Sequence, residues 1–504
     1  MQTNTKYDVV VIGGGLGGIL TAVLLSKEGM NVCVVEQDKQ IGGCLQTFSV
    51  QKKVFDSCVH YIGGLGDGHT LNRIFTYAGI MDKLELKAYD TNAFDKVAFG
   101  MGANEYPLAQ GFGNFQEQLL EYFPHETMAL REYINRIKTV GDHFPLYRLR
   151  MGDADEKAAV SNWGLTDTLN EITDNPLLQS VLTGNNLLYA GVKNKTPFYL
   201  HALVTESYIH SSHKVLPGSS QISKYLWQEL QNSGGTVLRN TAVTKVVEAD
   251  GNITHIETEH GEQITGTQFI SNVHPQVLLG MLDSKIIRPA YRKRIDGLQQ
   301  TTSTYMLNLV LTPGTVPMRH HNLYWNATTD VWAAAEYAPQ QWPVNYALFF
   351  TEDKDNPGYA ESLSILSYMH YSEVSKWDDS YNRTGHEAER GDAYETIKAQ
   401  KAEQLLNKVY ERVPELKGNI TAQKAATPLT YRDYTGTPKG ALYGILKDVN
   451  KPAETTIATR TKIPNLLQTG QNVNLHGVLG VSITALATTA ELVGLQYLLD
   501  KVKP

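Results

Sequence analysis

The stretch YDVVVIGGGLGG, residues 7–18, decides the fold of this chain. Its first half, YDVVVI, is a continuous apolar run of the kind found in a central parallel strand that is buried on both faces. Its second half carries glycines in the spacing GxGxxG, at Gly13, Gly15 and Gly18. NAD, NADP and FAD are all held by such a turn, so the stretch by itself predicts a dinucleotide without deciding which one.

The residues that follow complete a strand–turn–helix–strand unit. Residues 16–28 predict a helix that ends near Gly29, and NVCVV, residues 31–35, predicts a second buried strand. Glu36 follows that strand, where a carboxylate can accept hydrogen bonds from the hydroxyls of an adenosine ribose. Because a carboxylate repels a 2′-phosphate, Glu36 disfavours NADP and leaves NAD or FAD.

Each glycine of the turn has a separate task in such a unit. Gly13 permits the tight turn, Gly15 lets the backbone approach a pyrophosphate, and Gly18 lets the helix pack closely on the strand. Leu16 and Gly17 open the helix, whose free N–H groups point at the phosphates. The unit therefore predicts that the ADP half of a dinucleotide lies across this turn.

A second pair of glycines helps to distinguish between NAD and FAD. IGGCLQTFSV, residues 41–50, places Gly42 and Gly43 just beyond the acidic residue. An NAD domain normally runs straight into its next helix there. A flavin is longer than its ADP half and needs extra backbone along its ribityl chain and ring. This pair therefore favours FAD.

Composition restricts the partners of the chain. It has 504 residues, of which 42% are hydrophobic and 19% charged, and its formal net charge is -7. The length predicts two or three domains, and an acidic chain without basic clusters argues against a nucleic-acid partner. Its cysteines, Cys33, Cys44 and Cys58, form no CxxC motif and no disulfide framework. They predict a reducing cytoplasm, and their pattern gives none of them a redox role.

Two uncharged segments, residues 9–26 and 471–490, approach the length of a membrane span. Both are rich in glycine, and the first has no basic region before it, so we expect buried elements rather than a spanning helix or a signal peptide. A predicted helix at 71–81 could touch a membrane surface, although a core face is favoured. Peripheral membrane contact thus stays open.

Four blocks of sequence together identify a family resemblance. They are IGGCLQTF in the dinucleotide unit, VFDSCVHYIGG at 54–64, ATPLTYRDYTGTPKGALYGI at 426–445 and NLLQTGQNVNLHGVLGVSITALATTAEL at 465–492. On these blocks the chain resembles the FAD-dependent phytoene desaturase superfamily, which is related to the flavin amine oxidases. Within it, the chain looks like the branch that holds retinol saturase and carotenoid isomerase, and the blocks span nearly the whole sequence.

The resemblance implies an α/β fold, in which a Rossmann-type (glutathione-reductase-like) FAD-binding domain carries an inserted α+β substrate domain. The FAD-binding domain would comprise residues 1–75, 215–285 and 455–504. The substrate domain would comprise residues 76–214 and 286–454, where amphipathic helices alternate with strands. Its many tyrosines suit an apolar or conjugated substrate, although they also suit an ordinary core.

The last block predicts the end of the cofactor site that holds the flavin ring. PNLLQTG indicates a short strand that ends at Gly470, and a helix then begins near Gly477 and runs to about Lys501. The partial positive charge at the start of this helix would stabilise an anionic reduced flavin. The resemblance places Gln471 and Asn472 along the ribityl chain, with Asn472 where the family commonly has Asp.

The middle of the chain predicts a third part of the cofactor domain. PGSSQISKYLWQELQNSGG, residues 217–235, indicates a turn and an amphipathic helix, and TVLRN and the segments after it, residues 236–272, indicate a β-meander. The resemblance assigns the adenine end to backbone near Val243. The predicted cofactor residues are Gly13, Gly15, Leu16, Gly17, Gly18, Glu36, Gly42, Gly43, Val243, Gly470, Gln471, Asn472, Gly477 and Val478.

Two pairs of residues are candidates for catalysis. His60 and Tyr61 follow the VFDSCV strand, and a histidine whose pKa lies near neutrality could exchange a proton there. Tyr431 and Tyr434 lie in the TPLTYRDYTG block and could line the ring pocket. His476 is a weaker candidate that could equally cap its helix. No cluster of Cys, His or Asp supports a metal site.

The sequence therefore predicts an FAD-dependent oxidoreductase that reduces or desaturates carbon–carbon double bonds of a lipophilic polyene, a retinoid- or carotenoid-like molecule or an unsaturated lipid. A cis–trans polyene isomerase without net redox chemistry is the alternative. An amine oxidase or a redox-silent flavin-binding protein is a weaker one. Because only one dinucleotide fingerprint is present, we expect a separate electron donor or acceptor.

Overall fold

The computed structural model describes residues 6–383 and 386–502. The strands, numbered in chain order, are β1 Tyr7–Ile12, β2 Val32–Val35, β3 Thr47–Val50, β4 Lys53–Asp56, β5 Ile62–Gly63, β6 Leu86–Ala88, β7 Asp95–Phe99, β8 Glu105–Leu108, β9 Ser212–Val215, β10 Thr236–Leu238, β11 Val243–Ala249, β12 Asn252–Thr258, β13 Gln263–Ser271, β14 Leu282–Asp283, β15 Ser303–Leu311, β16 Asn322–Asn326, β17 Asn345–Glu352, β18 Ala360–Met369, β19 Asn382–Arg383, β20 His386–Glu387, β21 Ile420–Ala426 and β22 Leu466–Gln468. The α-helices are α1 Leu16–Lys27, α2 Thr70–Ala78, α3 Phe112–Leu120, α4 Thr127–Asp142, α5 Ala154–Ser161, α6 Leu165–Ile172, α7 Pro176–Leu182, α8 Phe198–His210, α9 Ser220–Asn232, α10 Pro275–Met281, α11 Pro289–Asp296, α12 Asp392–Val409, α13 Pro428–Thr435, α14 Pro452–Thr455, α15 Gly477–Val493 and α16 Leu495–Val502.

The predicted dinucleotide unit forms the parallel part of one large sheet. β1 pairs in parallel with β2 on one side and with β13 on the other, and β22 continues the parallel part beside β13. The antiparallel strands β11, β12 and β13 form the predicted meander. The strand within TVLRN, β10, does not join the meander but lies parallel to β2. A three-residue apolar stretch does not specify its neighbour, so that part of the prediction is wrong.

Both uncharged segments are buried elements of this half of the molecule. α1 is buried from Leu16 to Ser26, because α9 and α15 pack against it. Within residues 6–383 and 386–502, no helix is long and apolar enough to cross a membrane. The predicted single helix to about Lys501 is interrupted: α15 ends at Val493, since Gly494 adopts a φ of +96° that an α-helix cannot continue through.

A second sheet occupies the rest of the chain, in the order β21-β15-β18-β17-β16-β7-β8. It is antiparallel except between β16 and β7. Every residue of β15 is buried, as expected of a strand that is covered on both faces. α2 places Leu71, Ile74 and Phe75 in the core, so its apolar face packs inward rather than towards a membrane surface.

Candidate active site and cofactor cavity

A cavity of about 550 Å³ runs along the carboxyl ends of the parallel strands. The glycine turn after β1, Asn272 after β13 and Gly470 after β22 meet there, because the carboxyl ends of parallel strands lie at one edge of a sheet. The predicted cofactor residues that line this cofactor cavity are Gly13, Gly15, Leu16, Gly17, Glu36, Gly42, Gly43, Val243, Gly470, Gln471, Asn472, Gly477 and Val478.

Gly18, the remaining predicted cofactor residue, is not part of the cavity wall. A Cβ atom at this position would collide with the carbonyl oxygen of Gly13, so only glycine lets α1 approach the end of β1 this closely. Gly13 itself adopts a φ of +94°. A Cβ atom at Gly17 would lie 2.9 Å from the Cα atom of Gly470. The turn therefore depends on close backbone approach, as the glycine spacing predicts.

Glu36 is buried at the end of β2, where its carboxylate is held by backbone donors. One oxygen accepts a hydrogen bond from the N–H of Gly14 at 2.7 Å and the other from the N–H of Asp38 at 2.8 Å. Burial raises the pKa of Glu36 to about 7, against the opposing effect of these hydrogen bonds. Each oxygen keeps a further lone pair for a donor in the cavity.

Asn272 is a cavity residue that the sequence interpretation missed. Its Nδ2 atom donates to the carbonyl of Gly13 at 3.3 Å, and its side chain contacts the position that a Cβ atom would take at Gly17. The local signal, one Asn after a predicted meander strand, is weak. Only the parallel pairing of β13 with β1 brings it to the glycine turn.

The start of α15 forms the end of the cofactor cavity away from Glu36, since β2 and β22 lie on opposite sides of β1 and β13. A helix N-terminus carries partial positive charge at this point. Tyr443 lines the same end and its ring contacts that of His476 in a tilted arrangement, with ring centroids 4.1 Å apart. Burial lowers the pKa of His476 to about 4, and its Nε2 atom lies 3.1 Å from the carbonyl oxygen of Leu188.

Asn472 and Lys447 form hydrogen bonds at this end of the cavity. The Oδ1 atom of Asn472 accepts a hydrogen bond from the N–H of Ile445 at 2.9 Å, which leaves its Nδ2 group for another acceptor. The Nζ atom of Lys447 is buried and donates to the carbonyl of Asn472 at 3.1 Å. Burial lowers the pKa of Lys447 to about 8. No sequence motif pointed to this lysine.

His60 lines a second, smaller cavity of about 110 Å³ that adjoins the cofactor cavity at Cys58 and Tyr443. Its ring stacks on Phe349 with centroids 4.4 Å apart, and its buried Nε2 atom has no hydrogen-bond partner among the described residues. Burial, aided by the charge of Lys214, lowers the pKa of His60 to about 3. The expectation of a pKa near neutrality is therefore wrong, because the ring has been removed from water.

Tyr61 lines the same small cavity and belongs to a buried polar network. Its hydroxyl donates to Asp95 Oδ2 at 2.8 Å and lies 2.8 Å from the hydroxyl of Tyr324. Asp95 also accepts hydrogen bonds from the amides of Asn185 and Asn322, at 3.1 and 2.9 Å. Burial raises the pKa of Asp95 to about 7. Asp95 was missed, since a lone acidic residue in a strand carries no signal.

Tyr431 and Tyr434 lie on α13, at a third cavity of about 850 Å³. Tyr434 lines both this cavity and the cofactor cavity, whereas Tyr431 lines only the third cavity and donates from its hydroxyl to the carbonyl of Ser57 at 3.2 Å. Apolar side chains of the third cavity include Ile41, Phe48, Trp227 and Met306. Exposed lysines among its lining residues are Lys39, Lys224 and Lys424.

The cysteines differ in their surroundings. Cys33 is buried in β2, where its side chain is part of the core. Cys44 and Cys58 both line the cofactor cavity, and each thiol shifts the pKa of the other. The sequence pattern gave these two cysteines no reactive context, and their placement together at the cavity is a feature that only the structure shows.

Comparisons with known proteins agree with this architecture. Residues 11–78 match the model of an NAD(P)-binding Rossmann-like domain. Human all-trans-retinol 13,14-reductase is 26% identical over 97% of this chain and 86% of its own length. Prolycopene isomerase 1 of an Oncidium hybrid cultivar is 22% identical over 87% of this chain and 75% of its own. Human flavin-containing amine oxidase B is 35% identical over 22% of this chain and 20% of its own.

Solved structures show the same fold. The crystal structure of an oxidoreductase from Methanosarcina mazei superposes with a TM-score of 0.65 at 15% identity, and the match covers 95% of this chain and 99% of that one. The fold is of the Rossmann type, and the cofactor cavity lies where folds of this type bind a dinucleotide. The similarity to retinol reductases and prolycopene isomerases over most of the chain confirms the predicted resemblance to the branch of retinol saturase and carotenoid isomerase.

Proposed function

We propose that the chain is an FAD-dependent oxidoreductase that reduces or desaturates carbon–carbon double bonds of a lipophilic polyene, a retinoid- or carotenoid-like molecule or an unsaturated lipid. The observation that carries this proposal is the meeting of two cavities at Tyr434. One is the cofactor cavity, and the other is larger and has apolar side chains in its walls. Such a shared wall suits hydride exchange between a cofactor and a lipophilic substrate.

The cofactor cavity fits FAD in its donor set. Gly13, Gly15 and Gly17 would lie along the pyrophosphate, and Glu36 would accept from the adenosine ribose. The free Nδ2 group of Asn472 can donate to a ribityl hydroxyl. The start of α15 offers partial positive charge at the ring end, which favours an anionic reduced ring. When bound, FAD supplies hydride exchange at its N5 atom.

The third cavity is the proposed substrate site. Its volume of about 850 Å³ falls within the ordinary range for small-molecule pockets, whereas about 110 Å³ beside His60 is too little for a polyene. Trp227, Phe48 and Met306 offer it apolar surface. A lipophilic substrate would lose its hydration there with little loss of hydrogen bonding, which favours binding.

We assign to Tyr434 the transfer of the proton at the substrate carbon. It alone among the four candidate catalytic residues lines both the cofactor cavity and the third cavity. His60 and Tyr61 line the small cavity that adjoins the cofactor cavity, where Asp95 accepts a hydrogen bond from the hydroxyl of Tyr61. We assign that pair to shaping the ring end of the site and excluding water from it.

A cis–trans isomerase is the second candidate function, favoured by the similarity to prolycopene isomerases. Both functions use the same cavities, so geometry does not separate them. The proposal also includes a separate electron donor or acceptor and a cytoplasmic location, in keeping with the three scattered cysteines. To take up a lipophilic substrate from a membrane, the protein would need at most peripheral contact with the membrane surface.

The test is a visible spectrum of the purified protein followed by anaerobic turnover. We expect flavin absorption bands and the release of FAD on heating. Chemically reduced protein mixed with candidate polyenes should give a product two hydrogens heavier. A product of unchanged mass but altered geometry would establish the isomerase instead. A protein that neither contains nor takes up FAD would contradict both functions, and bound FAD that no substrate reoxidises would indicate a redox-silent protein.

A further inference from the structure

The hairpin of β3 and β4 brings Cys44 and Cys58 together. The N–H of Ser57 donates to the carbonyl of Gln46 at 3.0 Å, which extends the ladder of the hairpin beyond its two strands. This register places the residues after Ser57 beside those before Gln46. Both thiols are free, lie close enough for each to shift the pKa of the other, and border the cofactor cavity.

The two thiols are not equivalent in position. Cys44 lines the cofactor cavity alone, whereas Cys58 also lines the small cavity and the large third cavity. Cys58 is therefore the thiol that a molecule in the third cavity would meet first. The hydrogen bond between the thiols lowers the pKa of Cys44, while the same bond, together with burial, raises that of Cys58. Cys44 is accordingly the more acidic thiol of the pair.

We propose that Cys44 and Cys58 form a redox-active dithiol that carries electrons from an external dithiol to the flavin. This inference rests on the proposed function and supplies the electron donor that the reductive direction requires. The chain shows one dinucleotide fingerprint, which the flavin would occupy, so reducing equivalents need another entry. A cysteine pair in a reducing compartment more often serves redox chemistry than structural cross-linking.

The proposed cycle balances atoms and electrons. An external dithiol in the third cavity attacks the Sγ atom of Cys58 in the Cys44–Cys58 disulfide, which releases Cys44 as the thiolate. The thiol with the lower pKa is the better leaving group, in keeping with this direction of attack. The second external thiol then frees Cys58 and leaves the donor as its own disulfide. When the Cys44–Cys58 disulfide re-forms, two electrons and two protons pass from the pair to the oxidised ring.

The first test counts thiols in the holoprotein. The protein is reduced, freed of reductant, treated with one equivalent of a mild thiol oxidant, and then denatured, alkylated and digested for mass spectrometry. We expect a linked peptide pair that joins Cys44 to Cys58, with Cys33 alkylated. Separate alkylation of all three cysteines after oxidation would overturn the proposal. This readout needs no turnover, so it is independent of the substrate.

The second test measures anaerobic reduction of the bound flavin by dithiothreitol. We expect Cys44→Ser and Cys58→Ser to slow it by at least about tenfold, because each loses the disulfide. Cys33→Val, a core change in the valine-rich strand β2, is the matched control and should react at the wild-type rate. Sodium dithionite should reduce the flavin in every variant, which shows that the site is intact.

The outcomes distinguish a failure of the proposed function from a failure of the electron path through the cysteines. Absence of FAD from the wild-type protein contradicts the proposed function, whereas a linked Cys44–Cys58 peptide can be scored with or without FAD. Bound FAD that dithiothreitol reduces at the wild-type rate in Cys44→Ser and Cys58→Ser contradicts the electron path alone. A linked peptide together with slowed reduction in both variants supports it.

Discussion

The carboxylate of Glu36 accepts a hydrogen bond from the N–H of Gly14 at 2.7 Å, so the acid at the end of β2 holds the turn at the end of β1. Its other oxygen accepts from Asp38 at 2.8 Å. One side chain therefore both shapes the glycine turn and closes one end of the cofactor cavity. This double role makes Glu36 the most informative position for testing the cofactor site.

Glu36→Ala should weaken FAD binding by about ten- to a hundredfold, since hydrogen bonds to a charged group contribute about 1.5–3 kcal/mol. Flavin fluorescence titration of the apoprotein measures the dissociation constant. Glu28→Ala is the matched control, because Glu28 pairs with Lys501 beyond the other end of α1. Equal affinity of Glu36→Ala and Glu28→Ala for FAD would remove Glu36 from the site.

Gly18→Ala should destabilise the protein by about 1–3 kcal/mol and lower its FAD content, because a Cβ atom would collide with the carbonyl of Gly13. Gly113→Ala is the control: it is an exposed position in α3 with open space around a Cβ atom. There we expect a gain of about 0.5–1 kcal/mol. Chemical unfolding of both variants measures the difference, and a harmless Gly18→Ala would show that the close approach of α1 is not required.

His60 should make the free energy of unfolding fall with acid. Its pKa is about 3 in the folded protein and 6.5 in the unfolded chain, so below pH 6.5 the unfolded chain takes up a proton that the folded one refuses. The stabilising contribution is present above pH 6.5 and is lost as the pH falls towards about 3. His60→Phe keeps an aromatic ring against Phe349. On acidification to about pH 4, its free energy of unfolding should fall by about 2–3 kcal/mol less than that of the wild type.

Urea unfolding at a series of pH values measures this effect. His320→Gln, a change at an exposed position, should leave the pH dependence of the wild type in place. A His60→Phe protein whose stability declines with acid as steeply as the wild type would mean that His60 is not held neutral by burial.

Tyr434→Phe should lower kcat by about a hundredfold while FAD binding and substrate KM stay near the wild-type values, because it removes the hydroxyl to which we assign the proton transfer. Tyr431→Phe is the matched control three residues earlier on α13. Its hydroxyl bonds to the carbonyl of Ser57, so we expect a loss of about 1 kcal/mol in stability without a comparable fall in kcat. Stopped-flow reoxidation of the reduced protein by substrate measures the step, and a larger rate loss in Tyr431→Phe would reverse the assignment.

The local parts of the fold were predictable because their signals are local. The apolar run of β1, the glycine spacing and the position of Glu36 lie within 30 residues of one another, and each has its own steric or electrostatic reason. The cofactor cavity contains these predicted residues. The prediction erred where a short element could take two partners, as at β10, and where Gly494 divides α15 from α16.

The sequence by itself thus determined the dinucleotide unit and the kind of cavity that it forms. A tight turn and a closely packed helix tolerate few residue types, so their sequence pattern is recognisable. Tertiary structure alone decided which distant side chains meet there. Parallel pairing of β13 with β1 brings Asn272 to the turn, and the hairpin of β3 and β4 brings the segments that carry Cys44 and Cys58 side by side. Burial, which depends on every element packed around a group, lowers the pKa of His60 and raises that of Asp95. The spacing of residues along the chain specifies neither these contacts nor the degree of burial.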